Sequence, residues 1–98
     1  MPSESQIRQK FKEICRHNKW DYWFPIRTRW HREDIFNIGD VLISTKQGLK
    51  LIQLTTYSNI SARRRKIKKI LKKINLSCPI EIWGWNSKNK IFKIEIIK

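Results

Sequence analysis

Apolar residues recur first at helical spacing and then at strand spacing along this chain. Ile7, Phe11, Ile14 and Cys15 fall on one helical face. Ser3 and Gln6 ahead of them have capping-box spacing, so a first helix begins there and ends near Asn18. The stretch from Asp21 to Arg27 carries Tyr22, Trp23, Phe24 and Ile26, with Pro25 inside it. Proline has no donor for a central ladder, so this reads as an edge strand. Thr28 to Ile38 is a charged loop. Val41 to Thr45 is a strand, Gln47-Gly48 a tight turn, and Lys50 to Thr56 the next strand. That last strand is apolar at nearly every position, which predicts a central place buried on both faces. Ser58 or Asn59 caps a second helix reaching Ile74, with Ile60, Ile67, Ile70, Leu71 and Ile74 as its apolar stripe. Pro79 ends the connection. Ile80 to Trp85 alternates as a strand, Asn86 to Asn89 turns, and Ile91 to Ile97 alternates again. In this last strand Phe92, Ile94 and Ile96 share one face and Glu95 takes the other. The predicted order is α-β-β-β-α-β-β, an α/β domain with a mixed sheet flanked by helices.

At 98 residues the chain is one domain with one modest core. Its formal net charge of +14 favours an anionic partner, either nucleic acid or a membrane surface. The charge is concentrated. No acid lies between Asp40 and Glu81, whereas Arg63, Arg64, Arg65, Lys66, Lys68, Lys69, Lys72 and Lys73 crowd the second helix. With no acid one turn away to offset them, they exceed what solubility requires and point to phosphate contact. A basic amphipathic helix can also lie on anionic lipid, but this one needs its apolar stripe for the sheet. No apolar run approaches a membrane span, and the start of the chain is polar rather than signal-like. Cys15 and Cys78 lack metal-binding spacing and read as reduced, buried thiols. These features together predict a cytoplasmic chain.

The polar residues inside the strands carry the chemistry. Asp40 opens one strand, while Gln53 and Thr55 sit two apart on the next and therefore share a face. If the strands pair as a hairpin, Asp40 comes near both. An acid and an amide oxygen converging at a sheet edge can hold a hard divalent cation. Each residue also has a simpler reading: Asp40 as a turn residue, Gln53 as an internally hydrogen-bonded amide, Thr55 as a strand former. Asp34 is a possible further ligand, or one of Glu33 and Asp34 pairs with Arg27, Arg29 or Arg32. Glu13 falls on the side of the first helix opposite Ile7 and Phe11 and reads as solvent-facing. Trp83 and Trp85 share a strand face. They can stack on bases, but packing under a helix or at a dimer interface suits them better. His17 and His31 are isolated, and no Ser-His-Asp set, P-loop or zinc pattern is present.

The element order, the Asp at the start of the second strand and the polar pair in the third resemble the PD-(D/E)XK nuclease superfamily. The likeness extends to Holliday junction resolvases and a small phage-type branch. The run from Arg32 to Asp40, the run from Gln53 to Arg63, and Glu81-Ile82-Trp83-Gly84-Trp85 carry it. The resemblance implies a restriction-endonuclease-like fold. It implies Mg²⁺ or Mn²⁺ bound by Asp40 and Gln53, with Thr55 orienting water, and metal-dependent hydrolysis of duplex or branched DNA. It also implies a homodimer. In some resolvases the first helix contributes an acid, the position that Glu13 would take. This chain departs from the pattern at Gln53-Leu54-Thr55, where the family has (D/E)xK. Gln brings no charge, and Thr cannot supply the cation of Lys, a role left to Arg63 or Arg64. The rival readings are a catalytically inactive nucleic-acid-binding module of the same fold, and a structural, ribosomal-type or packaging protein using charge alone, which a preference for RNA over DNA would support.

Overall fold

A computed structural model describes residues 3–25, 35–36 and 38–97. Helix α1 spans Glu4–Asn18. Its start is fixed by reciprocal bonds: Gln6 N–H donates to Ser3 Oγ at 3.2 Å, and Ser3 N–H donates to Gln6 Oε1 at 2.8 Å. Its end is set by Lys19, left-handed at φ 59°, whose N–H turns back to the carbonyls of Cys15 and Arg16. The five strands are β1 (Asp21–Trp23), β2 (Val41–Thr45), β3 (Gly48–Thr56), β4 (Ile80–Asn86) and β5 (Ile91–Ile97). Helix α2 covers Ile60–Leu71, entered through a single 3₁₀ turn at Tyr57–Asn59.

The sheet order is β1-β2-β3-β4-β5. All neighbours run antiparallel except β3 and β4, which are parallel. Parallel neighbours need a crossover, and α2 supplies it. The sheet therefore has a helix on each face. Against α1 lie Val41, Ile43, Ile52, Leu54 and Trp83, packed around Ile7, Phe11 and Cys15. Against α2 lie Ile38, Leu51, Ile80 and Ile82, packed around Ile60 and Ile67. Residues Leu51 to Thr55 of β3 are all buried, as a central strand covered on both sides requires. Trp83 packs under α1, edge-on to Phe11 with ring centroids 5.0 Å apart.

The order of elements is the one the periodicity predicts, but several boundaries move. Strand β1 stops at Trp23, short of Pro25, whose missing donor cannot extend the ladder; Ile26 and Arg27 lie outside the described residues, as does most of the expected loop. Helix α2 is shorter at both ends than the span from Ser58 to Ile74. Asn59 is its N-cap without a side-chain bond, and Ile74 lies beyond it, 36 % exposed. The uncompensated lysines of the last turns resist further helix. The two thiols are free and lie on opposite faces of the sheet. Cys15 is buried, and desolvation pushes its thiol up to about 11. Cys78 is only half-buried rather than buried as the sequence suggested.

Gly84 lets α2 sit close on the sheet. A Cβ at this position would overlap Cγ1 and Cδ1 of Ile60 and meet the Thr56 carbonyl at 3.2 Å. Gly84→Ala should therefore cost about 1–3 kcal/mol, the usual range for overpacking. In an Ile60→Ala background most of that added cost should vanish. Thermal denaturation of the four proteins of this cycle measures it, and equal costs in both backgrounds would refute the close-packing account.

Candidate functional site

Asp40, Gln53 and Thr55 lie on the α2 face of the sheet, and Asp40 and Gln53 meet there. The three are 7 %, 5 % and 7 % exposed. The hairpin of β2 and β3 brings Asp40 and Gln53 together. Asp40 N–H donates to the Ile52 carbonyl at 2.8 Å, extending the ladder one step beyond Val41. Gly39 precedes it in a tight approach, since a Cβ there would overlap the Leu51 side chain. The carboxylate of Asp40 thus enters the sheet beside Gln53. Thr55 lies two residues further along β3, in register with Gly84.

The contact between Asp40 and Gln53 has a definite polarity. Gln53 Nε2 donates to Asp40 Oδ2 at 2.8 Å, and the backbone N–H of Leu54 donates to the same oxygen at 2.8 Å. Gln53 Nε2 also reaches the Leu54 carbonyl at 3.2 Å. A buried carboxylate accepting two N–H groups is a charge-assisted clasp. It ties the first residue before β2 to the middle of β3.

A hard cation requires oxygen donors with free lone pairs. Here two N–H groups aim at Oδ2 of Asp40, and Gln53 turns its nitrogen rather than its oxygen to the carboxylate. As arranged, Oδ2 of Asp40 and the amide of Gln53 serve each other rather than a cation. Among the described residues no group of three or more His, Cys, Asp and Glu stands together as a metal site. Glu13 cannot join Asp40, because it is exposed on α1, across the sheet. Asp34 lies outside the described residues.

The basic residues of α2 divide into two groups. Arg65, Lys66, Lys68, Lys69, Lys72 and Lys73 are exposed. At 100° per residue they fan over the arc opposite Ile60 and Ile67. Arg63 and Arg64 border the apolar stripe and are half-buried. Arg64 has a structural partner: its Nη1 meets Glu95 Oε1 on β5 at 2.6 Å, and its Nη2 donates to Ser61 Oγ at 3.0 Å. It clamps the helix to the sheet.

On the opposite face the structure holds a feature that sequence reasoning missed. Glu81, 7 % exposed, accepts from Trp83 Nε1 at 3.0 Å and pairs with Lys50 Nζ at 3.2 Å. An acid two residues before a tryptophan in an alternating strand was the available signal. These residues border a groove of about 530 Å³ shared with Trp20, Trp85 and Phe92. Comparison with family models, with curated proteins and with solved structures gives no match.

Asp40→Ala should lower stability by about 1.5–3 kcal/mol, because it strands two buried donors. Asp40→Asn should recover part of that loss, since its amide oxygen still accepts both N–H groups. Urea denaturation distinguishes the variants, and a neutral Asp40→Ala would refute the clasp.

Proposed function

We propose that this chain is a nucleic-acid-binding domain that grips the phosphates of DNA through the outer face of α2. One observation carries this reading. Six cations are exposed, Arg65, Lys66, Lys68 and Lys69 on the outer arc of the helix and Lys72 and Lys73 in the turn that ends it, with no acid anywhere between Asp40 and Glu81. The helix is about 18 Å long. Like charges along it oppose helix formation, and a polyanion relieves that repulsion by displacing counterions. Among the described residues no helix is long and apolar enough to cross a membrane. The apolar stripe of α2 is spent on the sheet, which disfavours insertion into lipid. The order of strands and helices also supports a restriction-endonuclease-like topology for the domain.

A second reading is metal-dependent cleavage of DNA at Asp40. The convergence of Asp40, Gln53 and Thr55 on one face favours it. The polarity of the Asp40 and Gln53 contact weighs against it, as does the commitment of Arg64 to Glu95, which leaves the missing lysine of the family pattern without that substitute. The binding module is therefore the preferred reading.

The logarithm of affinity for duplex DNA should fall linearly with the logarithm of salt concentration, by roughly 0.9 per phosphate contacted. Replacing Lys68, Lys69, Lys72 and Lys73 together by Gln should flatten that slope equally on all sequences. An unchanged slope would mean the face is merely solvated, and tighter binding to RNA than to DNA of matched length would reassign the partner. Incubation with Mg²⁺ or Mn²⁺ on linear, nicked and four-way DNA should leave the substrates intact. Cleavage lost in Asp40→Asn, with DNA binding retained, would establish the second reading instead.

A further inference from the structure

The sheet has two edges of opposite character. Strand β1 has three residues and offers little ladder. Strand β5 has seven and, among the described residues, pairs with β4 alone. Native edges are usually blunted by proline, a bulge, brevity or like charges. The sequence Ile91-Phe92-Lys93-Ile94-Glu95-Ile96-Ile97 has no proline, and its two charges are of opposite sign. Ile91, Ile94 and Ile96 are 59 %, 47 % and 59 % exposed. Phe92, Ile94 and Ile96 share the α1 face with Trp83, as their register with Trp85, Trp83 and Glu81 shows. Lys93 and Glu95 point to the α2 face.

We propose that β5 is a dimerisation edge, pairing antiparallel with β5 of a second copy of this chain about a two-fold axis at Ile94. Two-fold pairing that keeps the faces continuous must centre on a residue. Only the centre at Ile94 uses all seven positions. It sets Ile94 opposite Ile94 of the second copy, Phe92 opposite its Ile96, and Ile91 opposite its Ile97. It also sets Lys93 opposite its Glu95, and Glu95 opposite its Lys93. Centres one residue away would oppose Lys93 to Lys93 or Glu95 to Glu95, and like charges directly opposed are unfavourable.

Charge complementarity at this register meets an open demand within the chain. Glu95 Oε1 is held by Arg64, but its Oε2 is buried without a hydrogen-bond partner. Lys93 Nζ lies 5.7 Å from the centre of the Tyr57 ring and, among the described residues, pairs with no acid. Across the axis each supplies what the other lacks. The apolar ridge of Phe92, Ile94 and Ile96 is doubled and covered in the same step. The isologous interface closes on itself, giving a ten-stranded sheet from two copies of the five-stranded one. The axis runs through the sheet, so both copies of α2 lie on one face. This self-association needs no nucleic acid and is measured without it.

Sedimentation velocity of the full chain, freed of nucleic acid, should give twice the chain mass in the micromolar range. Lys93→Glu should weaken the dimer by roughly tenfold or more, since two acid pairs then face each other. Glu95→Lys should do the same alone, and an equimolar mixture of the two variants should regain the dimer mass. Glu95→Lys also removes the Arg64 clamp, so a second test leaves that clamp intact. Ile94→Cys should cross-link to itself on mild oxidation, whereas Ile91→Cys, remote from its own copy, should not. A wild type that stays monomeric, an unaltered dimer in Lys93→Glu, or equal cross-linking at both cysteines would overturn the proposal.

Discussion

The structure depends on burying β3 on both faces. Leu51, Ile52, Gln53, Leu54 and Thr55 are all removed from water, and a strand so placed needs a covering layer on each side. Its parallel pairing with β4 forces a crossover, and the crossover is α2. The other layer is α1, held by Ile7, Phe11 and Cys15. From this single demand follow the order of the sheet, the two half-cores and the positions of Gln53 and Thr55. The same demand makes polar groups on β3 costly, because a buried amide without partners forfeits its hydration. Gln53 is tolerated because Asp40 and the Leu54 carbonyl receive its N–H groups.

The charge on α2 is then a property that the packing permits. Ile60 and Ile67 occupy a narrow stripe, and the rest of the circumference is free to be basic. In isolation such a helix is poor: its lysines repel and its N-cap side chain makes no bond. Lys68 and Lys69 in the last turn do favour the helix dipole. Tertiary contacts do the remainder. Ile60 drops onto Gly84, and Arg64 reaches Glu95. Arg64 thus belongs to the fold, although its neighbours in sequence belong to the surface.

Much of this was legible in the chain. The capping box at Ser3 and Gln6, the uninterrupted apolar run in β3 and the alternation in β4 and β5 each have one structural solution, and the order of elements followed from them. The meeting of Asp40 and Gln53 was legible too, because hairpin register and the two-residue period place them. The direction of their bond was not. Spacing says which residues meet, but not which atom of an amide turns toward its neighbour. That choice is made by the Leu54 N–H and carbonyl, which are backbone groups invisible to sequence pattern. The partner of Arg64 was hidden for a similar reason. A run of arginines and lysines does not announce which member lies at the border of the apolar stripe, and Glu95 comes 31 residues later.

Gln rather than an acid at position 53 decides what the site demands. Two carboxylates at 2.8 Å, the distance between Asp40 Oδ2 and Gln53 Nε2, could not both stay ionised without a cation or a shared proton. Such a pair is electrostatically incomplete and recruits a metal for that reason. An amide beside a carboxylate is complete: its N–H meets the lone pair, and the one negative charge is further spread by the Leu54 N–H. The clasp therefore stabilises the β2 and β3 junction with no ion present. Thr55 fits the same logic. Beside a satisfied clasp a lysine would be a buried charge lacking a free acid to pair with, which is expensive, whereas threonine suits a strand. Gln53 and Thr55 are therefore coupled, since an acid at one position and a lysine at the other would be charges that have to balance each other.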